Sequence, residues 1–160
     1  MSLELDPVDT AMVNALQGNP DLAGERLRDE INRITERNLT TAAINARRGN
    51  LLRKQILKPA YIPDYKKIDK SMCGFIMLKT QKQEIEIANE LSNTEEWPEI
   101  MEAHAIIGQY DILLKTRVRD MEELGNLAFR LREKFTKLER TETFIVALTG
   151  KETPNVKIRD

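Results

Sequence analysis

The sequence is poor in residues that cross-link a chain or hold metals: its 160 residues include one cysteine, Cys73, and one histidine, His104. A single cysteine closes no intrachain disulfide, and one thiol with one imidazole falls short of the four ligands of a structural zinc site. No metal or cofactor is therefore expected, and Cys73 reads as a small apolar strand residue. Long apolar runs are missing as well, which argues against a helical membrane span. The first residues lack the basic-then-apolar pattern of a secretory leader. These absences point to a cytoplasmic protein with no membrane partner.

A large charge of one sign is also absent, the formal net charge being -1. Taken alone, that argues against a polyanionic partner, but the charge is unevenly placed. Residues 1–36 hold 3 basic and 8 acidic side chains, residues 37–70 hold 9 and 2, and residues 71–160 hold 13 and 16. A middle block of +7 thus lies between segments of -5 and -3. Such a local basic footprint is what a nucleic-acid backbone requires, although a solvated basic surface would show the same count. The length allows one domain or two small ones.

Three helices are expected in the front third. Asp6-Pro7 is a cap followed by a first-turn proline, and Val8, Met12, Val13, Ala15 and Leu16 recur at helical spacing, which predicts a helix over residues 6–17. Gly18-Asn19-Pro20 ends it and offers Asp21 as the next cap, ahead of a second helix over residues 22–37 with Leu22, Ala23, Leu27, Ile31 and Ile34 on its inner stripe. Thr40 or Thr41 caps a third, running to about Gln55, whose buried face would be Ile44, Leu51 and Leu52. Gly49 lies inside it at a cost of about 1 kcal/mol relative to alanine. Three short helices with a basic third one suggest a helix-turn-helix whose third helix enters the major groove. Thr40, Thr41, Asn45, Arg47 and Arg48 are then its outward residues, with Arg53, Lys54 and Lys58 placed to meet phosphates. Arginine can grip a guanine edge or a phosphate with two hydrogen bonds, whereas lysine acts as a point charge.

Residues 56–65 are proline-punctuated and rich in β-formers, which fits a wing strand and a linker, with a domain boundary near residue 70. Beyond it the pattern predicts a strand over 73–80, a helix over 83–92 with Ile85, Ala88 and Leu91 on one face, and a strand over 100–107. A second strand follows over 112–118. Asp120 then caps a helix carrying Leu124, Leu127, Ala128, Leu131, Phe135 and Leu138, and a last strand spans 142–149. The order β-α-β-β-α-β is the ferredoxin-like plan, an antiparallel sheet covered on one face by two helices with right-handed crossovers. Apolar residues on the uncovered face make a homodimer the economical way to remove them from water. Between the paired strands, the turn at Gly108-Gln109-Tyr110-Asp111 presents backbone N–H groups, a phenol and a carboxylate at one edge of the sheet.

The chain resembles the leucine-responsive and asparagine-responsive regulators, the Lrp/AsnC family. The resemblance rests on the element order, W-P-E-I at Trp97 to Ile100, G-Q-Y-D-I-L-L-K-T-R at Gly108 to Arg117, R-D-M at Arg119 to Met121, and T-E-T-F-I-V at Thr141 to Val146. In the front third, L-D-P-V-D-x-x-x-V-x-x-L-Q at Leu5 to Gln17 is similar to that family's first helix, and Leu39-Thr40, Ile44, Arg47 and Leu51 are similar to its recognition helix. N-V-K-I-R at Asn155 to Arg159 resembles the extra C-terminal strand of some members. The resemblance implies an α+β chain with a (winged) helix-turn-helix DNA-binding domain over 1–60, a wing or linker over 61–71, a ferredoxin-like effector-binding and dimerisation domain, the RAM domain, over 72–150, and a tail over 151–160. It also implies a transcription regulator that binds double-stranded DNA as a dimer or higher oligomer such as a tetramer or octamer. An amino-acid effector would bind between dimers near Gly108, Gln109, Tyr110 and Asp111, with Thr141 and Thr143 from the last strand. Asp111 would pair with the α-ammonium group, and turn N–H groups or threonine hydroxyls would hold the carboxylate.

Two other classes compete. His104 beside Glu102 and Glu99 could perform acid–base chemistry, and some proteins that resemble this family are sirohaem decarboxylases. A polyanionic tetrapyrrole would, however, call for clustered histidine and arginine, and the strands supply only His104 and Arg117. The remaining alternative is an effector-binding or assembly module that never meets DNA.

Overall fold

The computed structural model describes residues 5–158. The chain divides into two compact units: one holds the described residues up to Tyr61 together with those from Lys151 onward, and the other spans Ile62–Gly150. Among the described residues no helix is long and apolar enough to cross a membrane.

The first unit is built from α1 (Pro7–Gly18), α2 (Gly24–Thr35) and α3 (Thr41–Arg53). Asp6 caps α1, its Oδ1 accepting the Asp9 N–H at 2.8 Å, and Thr40 caps α3 by accepting the Ala43 N–H at 3.2 Å. The expected Asp21 cap is not used. Gly24 takes a left-handed φ of 56°, so α2 starts later than the hydrophobic spacing suggests, behind Ala23, which offers no side-chain cap. Val8, Met12, Leu16, Leu27, Ile31, Ile44 and Leu51 form the core, and each fully buried aliphatic side chain of this kind contributes about 1.5–3 kcal/mol. Ile34 and Leu52, expected inside, are exposed.

Residues 56–65 form no strand. Gln55 turns the chain at φ 56°, and the N–H groups of Ile56 and Leu57 donate to the Leu51 carbonyl at 2.9 and 3.3 Å. This folds their side chains back onto the helical core. The described part of the tail, 151–158, is not a strand either.

The second unit follows the order β1 (Met72–Thr80), α4 (Glu84–Glu90), β2 (Ile100–Ala105), β3 (Ile112–Val118), α5 (Met121–Lys134) and β4 (Leu138–Ile145). Its sheet runs β2-β3-β1-β4 with every pairing antiparallel. Alternation along the strands divides its side chains. Ile76, Leu78, Ile112, Leu114 and Val118 meet Ile87 and Leu91 of the α4 segment and Leu124, Leu127 and Leu131 of α5. The inner face of α4 is thus set by Ile87 and Leu91, and Ile85 points to solvent. β4 begins earlier than the alternation suggested because it pairs from Leu138 onward against β1, taking Leu138 out of the helical stripe. The strand runs to Ile145, after which the Val146 N–H still donates to the Cys73 carbonyl at 3.0 Å. Gly74 is where α5 crosses closely: a Cβ there would lie 3.1 Å from Thr116 Oγ1 and 3.3 Å from the Leu124 methyls.

The uncovered face of the sheet carries Phe75, Met77 and Lys79 of β1, with Lys115 opposite Phe75 and Leu113 opposite Met77 on β3, and Phe144 and Glu142 in the same positions on β4. Residues 62–71 pack with this unit rather than forming a free linker. Tyr65 lies under the Arg117 guanidinium at 4.5 Å, Arg117 Nη1 donates to the Ser71 carbonyl at 3.3 Å, and Lys70 pairs with Glu123.

Candidate nucleic-acid interface and effector turn

The angle between α2 and α3 is set by Asn32. Its side-chain amide donates to the Leu39 carbonyl at 3.0 Å while its Oδ1 accepts the Leu39 N–H at 2.8 Å. Glu36 closes α2 in a left-handed conformation, φ 52° and ψ 34°, and Arg28 donates to Thr41 Oγ1 at 3.4 Å. Asn32 went unnoticed in the sequence, where the signal was an asparagine inside a helix, a position that residue does not favour unless its amide has a partner.

On α3 and after it, Asn45, Arg53, Lys54 and Lys58 are exposed, and Thr41 and Arg48 are half-buried. Thr40 is exposed, with its hydroxyl committed to the cap, and Arg53 donates to Asn50 one turn earlier. Residues 37–63 contain 6 basic and no acidic side chains, and the five other than Arg47 have no carboxylate within the segment to offset their positive field.

Arg47 does not point outward. Its Nη1 donates to Asp6 Oδ2 at 2.7 Å and to Asp9 Oδ1 at 2.8 Å, tying α3 to the start of α1. The reason is periodicity: Arg47 follows Ile44 by three residues and precedes Leu51 by four, so it shares the inner side of the helix. The Asp9 and Asp6 carboxylates raise the Arg47 pKa. Burial alone would raise the Asp6 carboxyl, but the Asp9 N–H and the Arg47 guanidinium outweigh it and hold the group below its usual value.

In the second unit, the turn between β2 and β3 is closed by the Ile106 N–H donating to the Asp111 carbonyl at 2.8 Å, and the Asp111 N–H donates to Leu78 at 3.0 Å. Gly108 and Gln109 are exposed at its tip. The Asp111 carboxylate is already occupied: Lys79 Nζ donates to one oxygen at 2.7 Å, and the Thr80 N–H donates to the other at 2.7 Å. The Lys79 ammonium first, and the Thr80 N–H second, lower the Asp111 pKa. Tyr110 is buried, its hydroxyl donates to Glu142, and the Arg140 guanidinium lies 5.7 Å from its ring centroid.

The structure therefore gathers Tyr110 and Asp111 with Lys79, Arg140 and Glu142, partners the sequence reading did not name. It does not add the two threonines. Thr141 pairs with Leu78 and Thr143 with Ile76, which puts both on the helix-covered side of the edge strand, opposite to Glu142. The acid–base trio is not assembled either. His104 Nε2 lies 3.1 Å from Glu102, whereas Glu99 is buried and receives Arg130 Nη2 at 2.8 Å.

A three-helix unit whose second and third helices form a helix-turn-helix, joined in one chain to a ferredoxin-like α+β unit, defines a class of two-domain regulators. Residues 73–156 match the family model described as the Lrp/AsnC ligand binding domain. The chain is 32% identical to the HTH-type transcriptional regulator FL11 of Pyrococcus horikoshii, over 99% of this chain and 100% of that protein. It is 28% identical to the transcriptional regulator AzlB of Bacillus subtilis, over 99% and 98%. Among solved structures, an AsnC family transcriptional regulator from Agrobacterium tumefaciens superposes with a TM-score of 0.82 at 18% identity, covering 95% of this chain and 96% of that one. A Neisseria meningitidis transcriptional regulator solved as an L-Met complex gives 0.81 at 19%, covering 96% of each. The chain belongs to the Lrp/AsnC family, and it is a transcription regulator, not an enzyme.

Proposed function

We propose that the protein grips duplex DNA through α3 and the residues after it, with Thr41, Asn45 and Arg48 toward the groove and Arg53, Lys54 and Lys58 toward phosphates, Thr40 holding the helix start and Arg47 bracing it from within. The observation that carries this reading is the cluster of five cations on and beside α3, Arg37, Arg48, Arg53, Lys54 and Lys58, in a stretch, residues 37–63, that has no carboxylate. Two copies joined through the uncovered sheet face, where Phe75, Met77, Leu113 and Phe144 lie together, would present two such helices and read a two-fold site. Dimers associate further into tetramers or octamers. An amino acid is the effector class the reading favours, since a related fold is solved with L-Met. It would be received at the exposed Gly108-Gln109 tip, with Tyr110 and Asp111 shaping the turn. The protein works in the cytoplasm.

Each phosphate contact releases a counterion, so log affinity falls with log salt by about 0.9 per contact. Fluorescence anisotropy on a random duplex across a salt series should show this dependence in the wild type. The double variant Arg53→Ala, Lys54→Ala should have a slope shallower by about 2. An unchanged slope would remove these residues from the interface.

A further inference from the structure

The tail meets α1 through a pattern that neither the fold nor DNA binding requires. Asn14 Nδ2 donates to the Ile158 carbonyl at 2.9 Å while Asn14 Oδ1 accepts the Ile158 N–H at 3.0 Å. One turn on, Gln17 Nε2 donates to the Val156 carbonyl at 2.9 Å and Gln17 Oε1 accepts the Val156 N–H at 2.7 Å. Each amide thus reads both polar groups of one tail residue and skips the residue between, which is how one strand reads its neighbour in an antiparallel ladder. Residues two apart on an extended segment are about 6.6 Å apart, whereas helical positions three apart rise about 4.5 Å, and the extra methylene of glutamine helps make up the difference.

Two further contacts give the groove a direction. Asn155 Nδ2 donates at 2.8 Å to the Gln17 carbonyl, one of the last-turn carbonyls that a helix end leaves without an internal partner. The Ile158 side chain packs against the helical core. Asn155 is itself positioned by donating its N–H to Thr153 Oγ1 at 3.1 Å. Val156 and Lys157 remain exposed, so the segment is held by its backbone and by Asn155 and Ile158.

We propose that α1 carries a peptide-docking edge, Asn14 and Gln17, whose occupant is the chain's own segment 155–158. The ligand class is an extended peptide with asparagine at its first position and an aliphatic residue three positions later. Because this segment follows directly from the unit that ends at Gly150, the docked tail makes a second covalent connection to the helix-turn-helix unit, beside the one at residues 61–62. The docked segment therefore acts as a strap. Its release would be felt at α1 and not in the sheet.

The bond after Lys157 reports docking, because trypsin cannot cleave it while the Val156 and Ile158 backbone is held. Full-length protein is digested briefly and the cleavage rate at Lys157 is followed by mass spectrometry. In Asn14→Ala, Gln17→Ala four tail hydrogen bonds are lost and the rate should rise about tenfold or more, a factor that one to two such bonds already account for, with rates at sites within 62–150 unchanged. Val156→Pro deletes one docking N–H on an exposed residue, places no helix at risk, and should raise the rate by a smaller factor, about fivefold, as one bond is lost. Equal rates in wild type and both variants would overturn the proposal. So would protection of Lys157 that fades on dilution, because the occupant would then be the tail of a second copy.

Discussion

Replacing Arg47 with alanine separates a brace from a DNA contact. The guanidinium makes two charge-assisted bonds, at 2.7 and 2.8 Å, with side chains 32% exposed for Arg47, 42% for Asp6 and 24% for Asp9. Hydrogen bonds to charged groups are worth about 1.5–3 kcal/mol and exposed ion pairs about 0.2–1 kcal/mol, so this half-exposed pair of contacts should contribute about 1–2 kcal/mol. At about 4–8 °C per kcal/mol for a unit of this size, the variant's helical unit should melt well below the wild type's. The assay has a built-in control. The one tryptophan, Trp97, lies in the second unit, so its fluorescence transition should stay in place while circular dichroism at 222 nm records the loss.

The pH dependence of that variant follows from Asp6. Its folded pKa is lowered, so its contribution is present above the unfolded value of about 3.9 and disappears as pH falls through the folded one. The gap between wild type and Arg47→Ala should therefore persist above about pH 4 and close below it. DNA affinity, measured well under the melting transition, should stay within about twofold, with the salt slope unmoved. An unaltered melt combined with a slope shallower by about 0.9 would refute the assignment and return Arg47 to the interface.

Asp111→Ala should lower the stability of the second unit by about 2 kcal/mol, since it removes the partners of Lys79 and the Thr80 N–H, as read by Trp97 fluorescence in urea. The folded pKa of Asp111 is lowered, so this stabilisation operates above about pH 4 and is lost as the medium becomes more acidic. The alanine variant should lack that part of the pH dependence, and equal urea midpoints for the two proteins at neutral pH would count against a stabilising role for the Asp111 contacts. Gly74→Ala should cost about 1–3 kcal/mol by pressing on Thr116 and Leu124. An unchanged urea midpoint would mean that α5 can move aside.

Local periodicity and turn chemistry were enough to read the element order. Asp6-Pro7, Thr40 and Asp120 announce helix starts because capping is satisfied within one turn, and β1 and β3 alternate because one side of each strand is buried. The Gly108 to Asp111 turn was legible for the same reason, as was the basic block, which needs only a count. Other features depended on distant partners. Arg47 has the composition of a DNA contact; its spacing from Ile44 and Leu51 already puts it on the inner side of α3, but which partners it meets there depends on α1 bringing Asp6 and Asp9 beside it. Asp111 has the chemistry of an ammonium receptor, yet β1 delivers Lys79 and Thr80 to it. The strand residues Thr141 and Thr143 share a side set by register against Ile76 and Leu78, and a register is a property of two strands. The C-terminal segment, which resembles a strand by its residues, docks on a helix instead because Asn14 and Gln17 supply side-chain amides where a neighbouring strand would supply peptide groups. Short-range physics therefore wrote the sequence of helices and strands, and long-range packing alone decided which charged groups remain free to meet a partner.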